Sequence, residues 1–62
     1  MENMMLKDMC ISARKHMGLS QKAFAKLIST NQTEVSFIER GFIPNDAEKI
    51  LSIEKYYKLA SC

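Results

Sequence analysis

The sequence has few residues that hold metal ions or lock a fold covalently. Its 62 residues include two cysteines and one histidine. Cys10 and Cys62 lack the short spacing of a zinc site, and together with His16 they supply too few ligands for a typical four-coordinate zinc ion. Cys10 falls on an apolar helical stripe, where a thiol behaves as a small hydrophobe. We therefore expect no metal, no cofactor and no disulfide between the two cysteines.

Long hydrophobic runs are also missing from the chain. No stretch approaches the roughly 18 apolar residues that a membrane-spanning helix needs. Residues 1–5 are neither basic nor followed by a long apolar run, so they do not resemble a secretion signal. We expect a soluble protein that stays inside the cell and has no membrane partner.

The sequence offers no recognisable catalytic arrangement. His16 has no serine, cysteine or carboxylate placed to complete a catalytic set, and there is no glycine-rich phosphate loop. A chain of this length forms one small domain that buries only about 60% of its unfolded surface, which leaves no room for a deep cleft. We therefore predict a single binding domain over residues 1–62, and neither an enzyme nor a small-molecule ligand.

The net charge is low but unevenly distributed. The formal value is only +2 at neutral pH. In the middle of the chain the cations Arg14, Lys15, Lys22, Lys26 and Arg40 stand against Glu34 and Glu39 alone. This excess favours a polyanionic partner, although a merely solvated basic face explains the charge pattern equally well.

Every periodic segment of the chain indicates a helix, and none alternates like a strand. The first apolar stripe consists of Leu6, Cys10, Ala13 and Met17. Gly18 follows it, as is common just past a helix C-terminus. A last helix begins after a cap at Asn45 or Asp46 and runs to about Tyr57, with residues 60–62 frayed. These patterns predict an all-α fold of four or five short helices.

The middle of the chain, residues 20–40, contains two short helices joined by a tight turn. Ser20 and Asn31 are the expected N-caps of these helices, and residues 29–31 are turn formers. Ala25 lies where the two helices nearly touch, because a larger side chain there would push them apart. Such a helix-turn-helix leaves its second helix protruding enough to enter the major groove of DNA.

One side of this second helix is expected to face away from the core, because Val35 and Ile38 anchor the other side. The expected base contacts on the outer side are Gln32, Thr33, Ser36 and Phe37. A glutamine amide pairs with adenine through two hydrogen bonds, which discriminate against other bases by about 1–3 kcal/mol. The alternative role for Gln32 is that of a solvated residue that only helps to cap the helix. For Phe37 the natural apolar partner in the groove is a thymine methyl group. The alternative is packing against the Phe42 region or a dimer mate.

From Leu19 to Gly41 the sequence resembles the Cro/repressor (Xre-like) family of bacterial and phage helix-turn-helix regulators. The specific matches, in unbroken register, are Leu19-Ser20-Gln21, Phe24-Ala25, Gln32, Val35-Ser36 and Ile38-Glu39-Arg40-Gly41. The resemblance extends from Leu6 to about Tyr57. It implies a lambda-repressor-like domain that binds double-stranded DNA as a homodimer in the cytoplasm of a bacterial cell. With no sensor domain beside it, the chain is most similar to minimal Cro-like repressors of phages, plasmids or other mobile elements.

The resemblance also implies roles for individual polar residues. Gln21 is expected to clamp a backbone phosphate and to brace Gln32. Arg14 and Glu39 are expected to form a partly buried ion pair that is structural. Further phosphate contacts, which set register without reading sequence, are expected from Lys22, Lys26 and Arg40. Each of these three cations has simple solvation as its alternative.

Two departures from the family pattern affect the turn and the dimer. The family usually has glycine at the first turn position, where this chain has Ser29, and a positive φ held there costs about 1 kcal/mol. The family also often adds a fifth helix, whereas this chain ends soon after its fourth. The dimer interface is therefore expected on the last helix and tail, at Ile53, Tyr56, Tyr57 and Leu59.

Two other functions fit the same fold. One is an architectural or recombination accessory protein that binds DNA without chiefly regulating a promoter. The other is a protein-interaction module that kept the fold and lost DNA binding. The first predicts several binding sites in phase and DNA bending. The second predicts weak DNA binding with little salt dependence and Phe37 buried against a protein partner.

Overall fold

A computed structural model describes residues 5–61 of the chain. Within that range there are four helices and no strand: α1 (Leu6–His16), α2 (Gln21–Leu27), α3 (Gln32–Glu39) and α4 (Ala47–Ser61). The predicted all-α, helix-turn-helix fold is confirmed. No helix in the described part of the chain has the length and apolar character needed to cross a bilayer.

Side-chain N-caps stand at the starts of α2 and α3, where the sequence predicts them. The Ser20 hydroxyl accepts a hydrogen bond of 3.1 Å from the Ala23 N–H, and the Asn31 carboxamide oxygen accepts one of 2.8 Å from the Glu34 N–H. Each bond satisfies one of the backbone donors that the first turn of a helix leaves free. Gly18, with φ +68°, turns the chain after α1.

The core lies where α1, α3 and α4 meet and where α2 packs on α3. Its fully or almost fully buried side chains are Cys10, Ala13, Phe24, Ala25, Ile28, Val35, Ile38 and Ile53. Cys10 is a free thiol inside this core, as its place on the apolar stripe predicts, and Cys62 lies outside the described residues. Met17, the last member of the predicted stripe, lies just past the end of α1 and is exposed.

The last helix is longer than the sequence analysis predicts. Helical backbone continues through Ser61 rather than stopping near Tyr57, so the expected fraying of residues 60–61 is wrong. The physical reason is that no glycine or proline follows Pro44 to end the helix. The extension adds a turn of helix that carries Leu59, whose side chain is 61% exposed.

Candidate nucleic-acid interface

The turn between α2 and α3 sets the direction of the third helix. Ser29 has φ +61°, so it occupies the left-handed conformation for which the family prefers glycine at this position. The Thr30 N–H then donates a 2.8 Å hydrogen bond to the Ala25 carbonyl, which returns the chain towards α2. Ala25 is buried at this crossing, in keeping with the small side chain that a close approach of two helices requires.

The four residues predicted to contact bases lie on one side of α3. Val35 and Ile38 are buried against the core, whereas Gln32, Thr33 and Phe37 are exposed and Ser36 is partly exposed. At about 100° per residue, the four outer positions share an arc of about 140°. The helix therefore presents a continuous outer surface, with Gln32 and Thr33 at its N-terminal end.

The last turn of α3 is fixed by a polar cluster around Glu39. Arg14 donates from Nε to Glu39 Oε2 at 2.7 Å and from Nη2 to Oε1 at 3.1 Å. Its third nitrogen, Nη1, donates to the Leu19 carbonyl at 3.2 Å. The carboxylate also accepts bonds from Gln21 Nε2 at 3.1 Å and from the Cys10 thiol at 3.6 Å. The cluster thus connects α1, the loop after it and α2 to the end of α3.

The environment of Glu39 shifts the titration of two groups. Burial raises the pKa of the Glu39 carboxyl, but hydrogen bonds from Arg14 and Gln21, with the charge of Arg14, outweigh it and leave the pKa below its ordinary value. Burial, followed by the charge of Glu39, raises the pKa of the Cys10 thiol to about 12. Cys10 is therefore a protonated thiol at neutral pH and a poor nucleophile.

The side chain of Gln21 does not brace Gln32 in this structure. Its amide nitrogen donates to Glu39, at the opposite end of α3 from Gln32. The physical reason is that an ionised carboxylate attracts an amide donor more strongly than a neutral amide does. Gln21 nevertheless lies in the first turn of α2, where backbone N–H groups are free to meet a phosphate.

The predicted phosphate-contacting cations differ in their surroundings. Lys22 and Lys26 are exposed on α2. Arg40 lies with its guanidinium carbon 5.0 Å from the centre of the Phe37 ring, and its Nε donates a long hydrogen bond of 3.4 Å to the Ser36 carbonyl. Arg40 thereby lies beside the outer surface of α3 while remaining exposed.

Phe37 has both of the features that the sequence analysis leaves as alternatives. Its ring packs edge-to-face with Phe42, with centroids 6.5 Å apart and planes inclined at 67°. The Phe42 N–H also donates to the Phe37 carbonyl at 2.9 Å. Yet Phe37 remains 47% exposed and Phe42 48% exposed, so the pair leaves an apolar patch at the C-terminal end of the outer surface. Phe42 thus lies beside the predicted base-contacting surface, whereas the sequence analysis considers it only as a packing partner of Phe37.

Glu34 is engaged in contacts that the sequence analysis does not predict. Its carboxylate accepts a 2.7 Å hydrogen bond from Lys49 Nζ in α4 and another from the Thr30 hydroxyl. These bonds, the one from Lys49 first, lower the pKa of the Glu34 carboxyl. Both carboxylates of α3, at Glu34 and Glu39, are therefore paired with cations from other helices.

The residues predicted to form the dimer interface lie on different sides of α4. Ile53 is 0% exposed and belongs to the core, so it has no surface left for a second subunit. Tyr56 packs edge-to-face on Phe24, and Tyr57 is also partly buried. Leu59 is exposed, and so is Leu51, which the prediction does not include. The sequence signal missed Leu51 because the apolar arc of α4 is too wide to identify the buried side.

Comparison with known proteins identifies the fold but no individual relative. A family model described as helix-turn-helix matches residues 11–61. The match contains α2, the turn and α3 completely, together with Arg14, Gln21 and Glu39 of the polar cluster. No curated protein and no solved structure matches the chain. Within residues 5–61, no group of three or more His, Cys, Asp or Glu side chains is arranged to hold a metal ion.

Proposed function

Since the chain belongs to the Cro/C1-type helix-turn-helix family, a family of DNA-binding domains, we propose that it is a sequence-specific transcriptional regulator. It acts as a Cro-like repressor in the cytoplasm of a bacterial cell, and occludes a promoter by binding a palindromic operator. Residues 1–62 work in this role as one domain, without catalysis, a cofactor or a small-molecule ligand.

The observation that carries this proposal is the outer surface of α3. It exposes uncharged polar side chains that pair with base edges, while both carboxylates of the helix are neutralised by Arg14 and Lys49. An unpaired carboxylate on this surface would repel the phosphates that line the groove. The surface is therefore electrostatically suited to entry into the major groove.

Gln32 is the principal base reader in this proposal. It is exposed in the first turn of α3, the part of a recognition helix that meets base edges in this geometry. Its amide donates to N7 and accepts from the amino group of one adenine, which discriminates that base by about 1–3 kcal/mol. Thr33 and Ser36 contribute shorter contacts to neighbouring bases, and Phe37 contributes an apolar one.

Contacts to the DNA backbone hold α3 in register. Lys22 and Lys26 on α2, and Arg40 at the end of α3, neutralise phosphates, while Gln21 and the N–H groups of the first turn of α2 bind another. Each phosphate neutralised releases counterions, so the logarithm of the binding constant falls with the logarithm of salt concentration. The slope of this salt dependence therefore measures how many phosphates the protein neutralises, whatever the DNA sequence.

Two copies of the chain are needed for tight and specific binding, because one module buries too little surface on DNA. A homodimer related by a two-fold axis places its two α3 helices on half-sites about 34 Å apart, one helical turn of DNA. The interface is proposed on α4, where Leu59 and Leu51 are exposed, and Tyr56 and Tyr57 contribute only the parts of their side chains that the core leaves accessible. Ile53 stays within each core.

Selection of binding sites from random duplex DNA tests the proposal. The expected product is a palindrome with half-sites about one turn apart. Gln32→Ala should blur the preference at one base pair per half-site. Lys26→Gln, the matched control, should weaken binding to all sequences and reduce the salt slope by about one while leaving the selected motif unchanged.

Other outcomes of the selection distinguish the rival functions. Several enriched sites in phase, together with DNA bending, would favour an architectural or recombination accessory protein. No enriched sequence would overturn sequence-specific regulation. Weak binding with little salt dependence would then favour a protein-interaction module on the same fold.

A further inference from the structure

The patch of Phe37 and Phe42 is an exposed apolar feature beside the polar surface of α3. Both rings are about half exposed, and they contact each other edge-to-face at 6.5 Å. Removing the apolar surface of these rings from water is favourable, so an apolar group that covers them would bind with a gain in free energy. The neighbouring positions on the same side, Gln32, Thr33 and Ser36, are polar.

The two rings are held in place before any partner binds. The Phe42 N–H is bonded to the Phe37 carbonyl at 2.9 Å, which ties the connector to the last turn of α3. The Arg40 guanidinium covers part of the Phe37 ring at 5.0 Å. Side chains that are already ordered lose little conformational entropy on binding, so even a small apolar group is recognised efficiently.

The charge beside the patch favours DNA over an apolar protein surface. Burying the rings under a hydrophobic partner would also remove water from the Arg40 guanidinium, which is costly without an anion to pair with it. In the major groove the phosphates supply that anion. No unpaired carboxylate of α3 opposes them, since Glu34 and Glu39 both accept bonds from cations.

Base edges in the major groove carry hydrogen-bonding groups, and the apolar exception among the ordinary bases is the 5-methyl group of thymine. Building on the proposed function, we infer that Phe37 and Phe42 together bind the 5-methyl group of a pyrimidine. The regulator thus prefers thymine or 5-methylcytosine at one position of each half-site. Unmethylated cytosine at that position lacks the group that the rings contact, so DNA methylation strengthens binding there.

Replacing single thymidines of the selected operator by deoxyuridine tests the inference, because only the methyl group is removed. At one position per half-site we expect the dissociation constant to rise about fourfold, which corresponds to about 0.8 kcal/mol for one buried methyl-sized group. With cytosine at the same position, adding the 5-methyl group should recover about the same factor. In Phe37→Ala both ratios should fall to about one.

Ile43→Ala is the matched control, because Ile43 is an exposed apolar residue beside Phe42 in the chain that the inference does not place in the methyl contact. It should leave the methyl ratios unchanged, and thermal unfolding verifies that each variant is folded. A selected operator without methyl dependence, or one whose dependence survives Phe37→Ala, would overturn the inference and leave the proposed function intact. Loss of the dimer in Phe37→Ala by analytical ultracentrifugation, with unchanged methyl ratios, would assign the rings to a protein interface. If the selection enriches no operator, the proposed function itself is wrong.

Discussion

At its last turn α3 is fixed by a nearly buried polar cluster, whereas at its first turn it is held by exposed contacts and a strained residue. The Glu39 side chain is 8% exposed and accepts bonds from Arg14, Gln21 and Cys10. The Glu34 side chain is 23% exposed and is paired with Lys49, after a turn in which Ser29 has φ +61°. The two ends therefore contribute differently to stability.

The difference follows from solvent screening. A buried ion pair is strongly coupled to the rest of the fold, because removal of one partner leaves an uncompensated charge out of water. An exposed pair is screened by water and salt and contributes little. Since Gln32 and Thr33 lie at the exposed end, the proposed base-reading surface is adjustable by substitution without loss of the fold. The Glu39 cluster at the last turn keeps α3 anchored to the core when residues of the first turn are changed.

The largest effect should come from breaking the buried end. Arg14→Met removes the guanidinium and leaves the partly buried Glu39 carboxylate without its cation, so we expect a loss of about 2 kcal/mol of unfolding free energy, less than breaking a fully buried pair costs. Urea denaturation followed by circular dichroism measures it. The matched control is Lys15→Met, which removes an exposed cation from the same helix and should change stability by less than about 0.5 kcal/mol. Equal losses in the two variants would contradict the role of the buried cluster.

A smaller effect, of opposite sign, should come from relaxing the exposed end. Ser29→Gly removes the clash that the left-handed conformation imposes on a side chain, partly offset by the greater flexibility of glycine in the unfolded chain. We expect a net gain of about 0.5–1 kcal/mol and a rise of a few degrees in melting temperature. Ser29→Ala keeps the Cβ atom and should bring no such gain. A melting temperature that falls in Ser29→Gly would show that the serine side chain stabilises the turn.

Local signals were sufficient to predict most of this architecture. Ser20 and Asn31 are capping residues that act on backbone groups within three positions, so the starts of α2 and α3 follow from the sequence around them. The positive φ at Ser29 was expected because the family pattern marks that position. The same pattern led to Arg14 and Glu39, which the structure brings within 2.7 Å of each other.

Contacts set by the packing of distant helices were not predictable in the same way. Lys49 and Glu34 are 15 positions apart, and no periodicity in the sequence relates the start of α4 to the start of α3. The broad apolar arc of α4 predicts an interface role for Ile53, and only the packing of α4 against α1 decides which part of the arc is buried. Phe42 lies in an irregular connector, so its contact with Phe37 had no helical pattern to reveal it.

The smallest effect on stability should come from Lys49→Met, which removes the cation that pairs with Glu34. The pair is partly exposed, so we expect a loss of only about 0.2–1 kcal/mol of unfolding free energy. Measurements of DNA affinity test whether Lys49 also has a role in DNA binding. If Lys49 serves to neutralise Glu34 next to the groove, the freed carboxylate should weaken binding about threefold through repulsion of nearby phosphates.

The double variant Lys49→Met with Glu34→Gln separates this role from a direct one. Removing the carboxylate as well should restore the affinity, because no uncompensated negative charge then remains at the start of α3. If Lys49 instead contacts a phosphate itself, Glu34→Gln will not rescue binding, and Lys49→Met will lower the salt slope by about one. Titrations of the selected operator over a salt series, with both single variants beside the double one, supply the coupling energy that decides between them. A rescued affinity means that the exposed end of α3 is tuned by charge pairing within the protein.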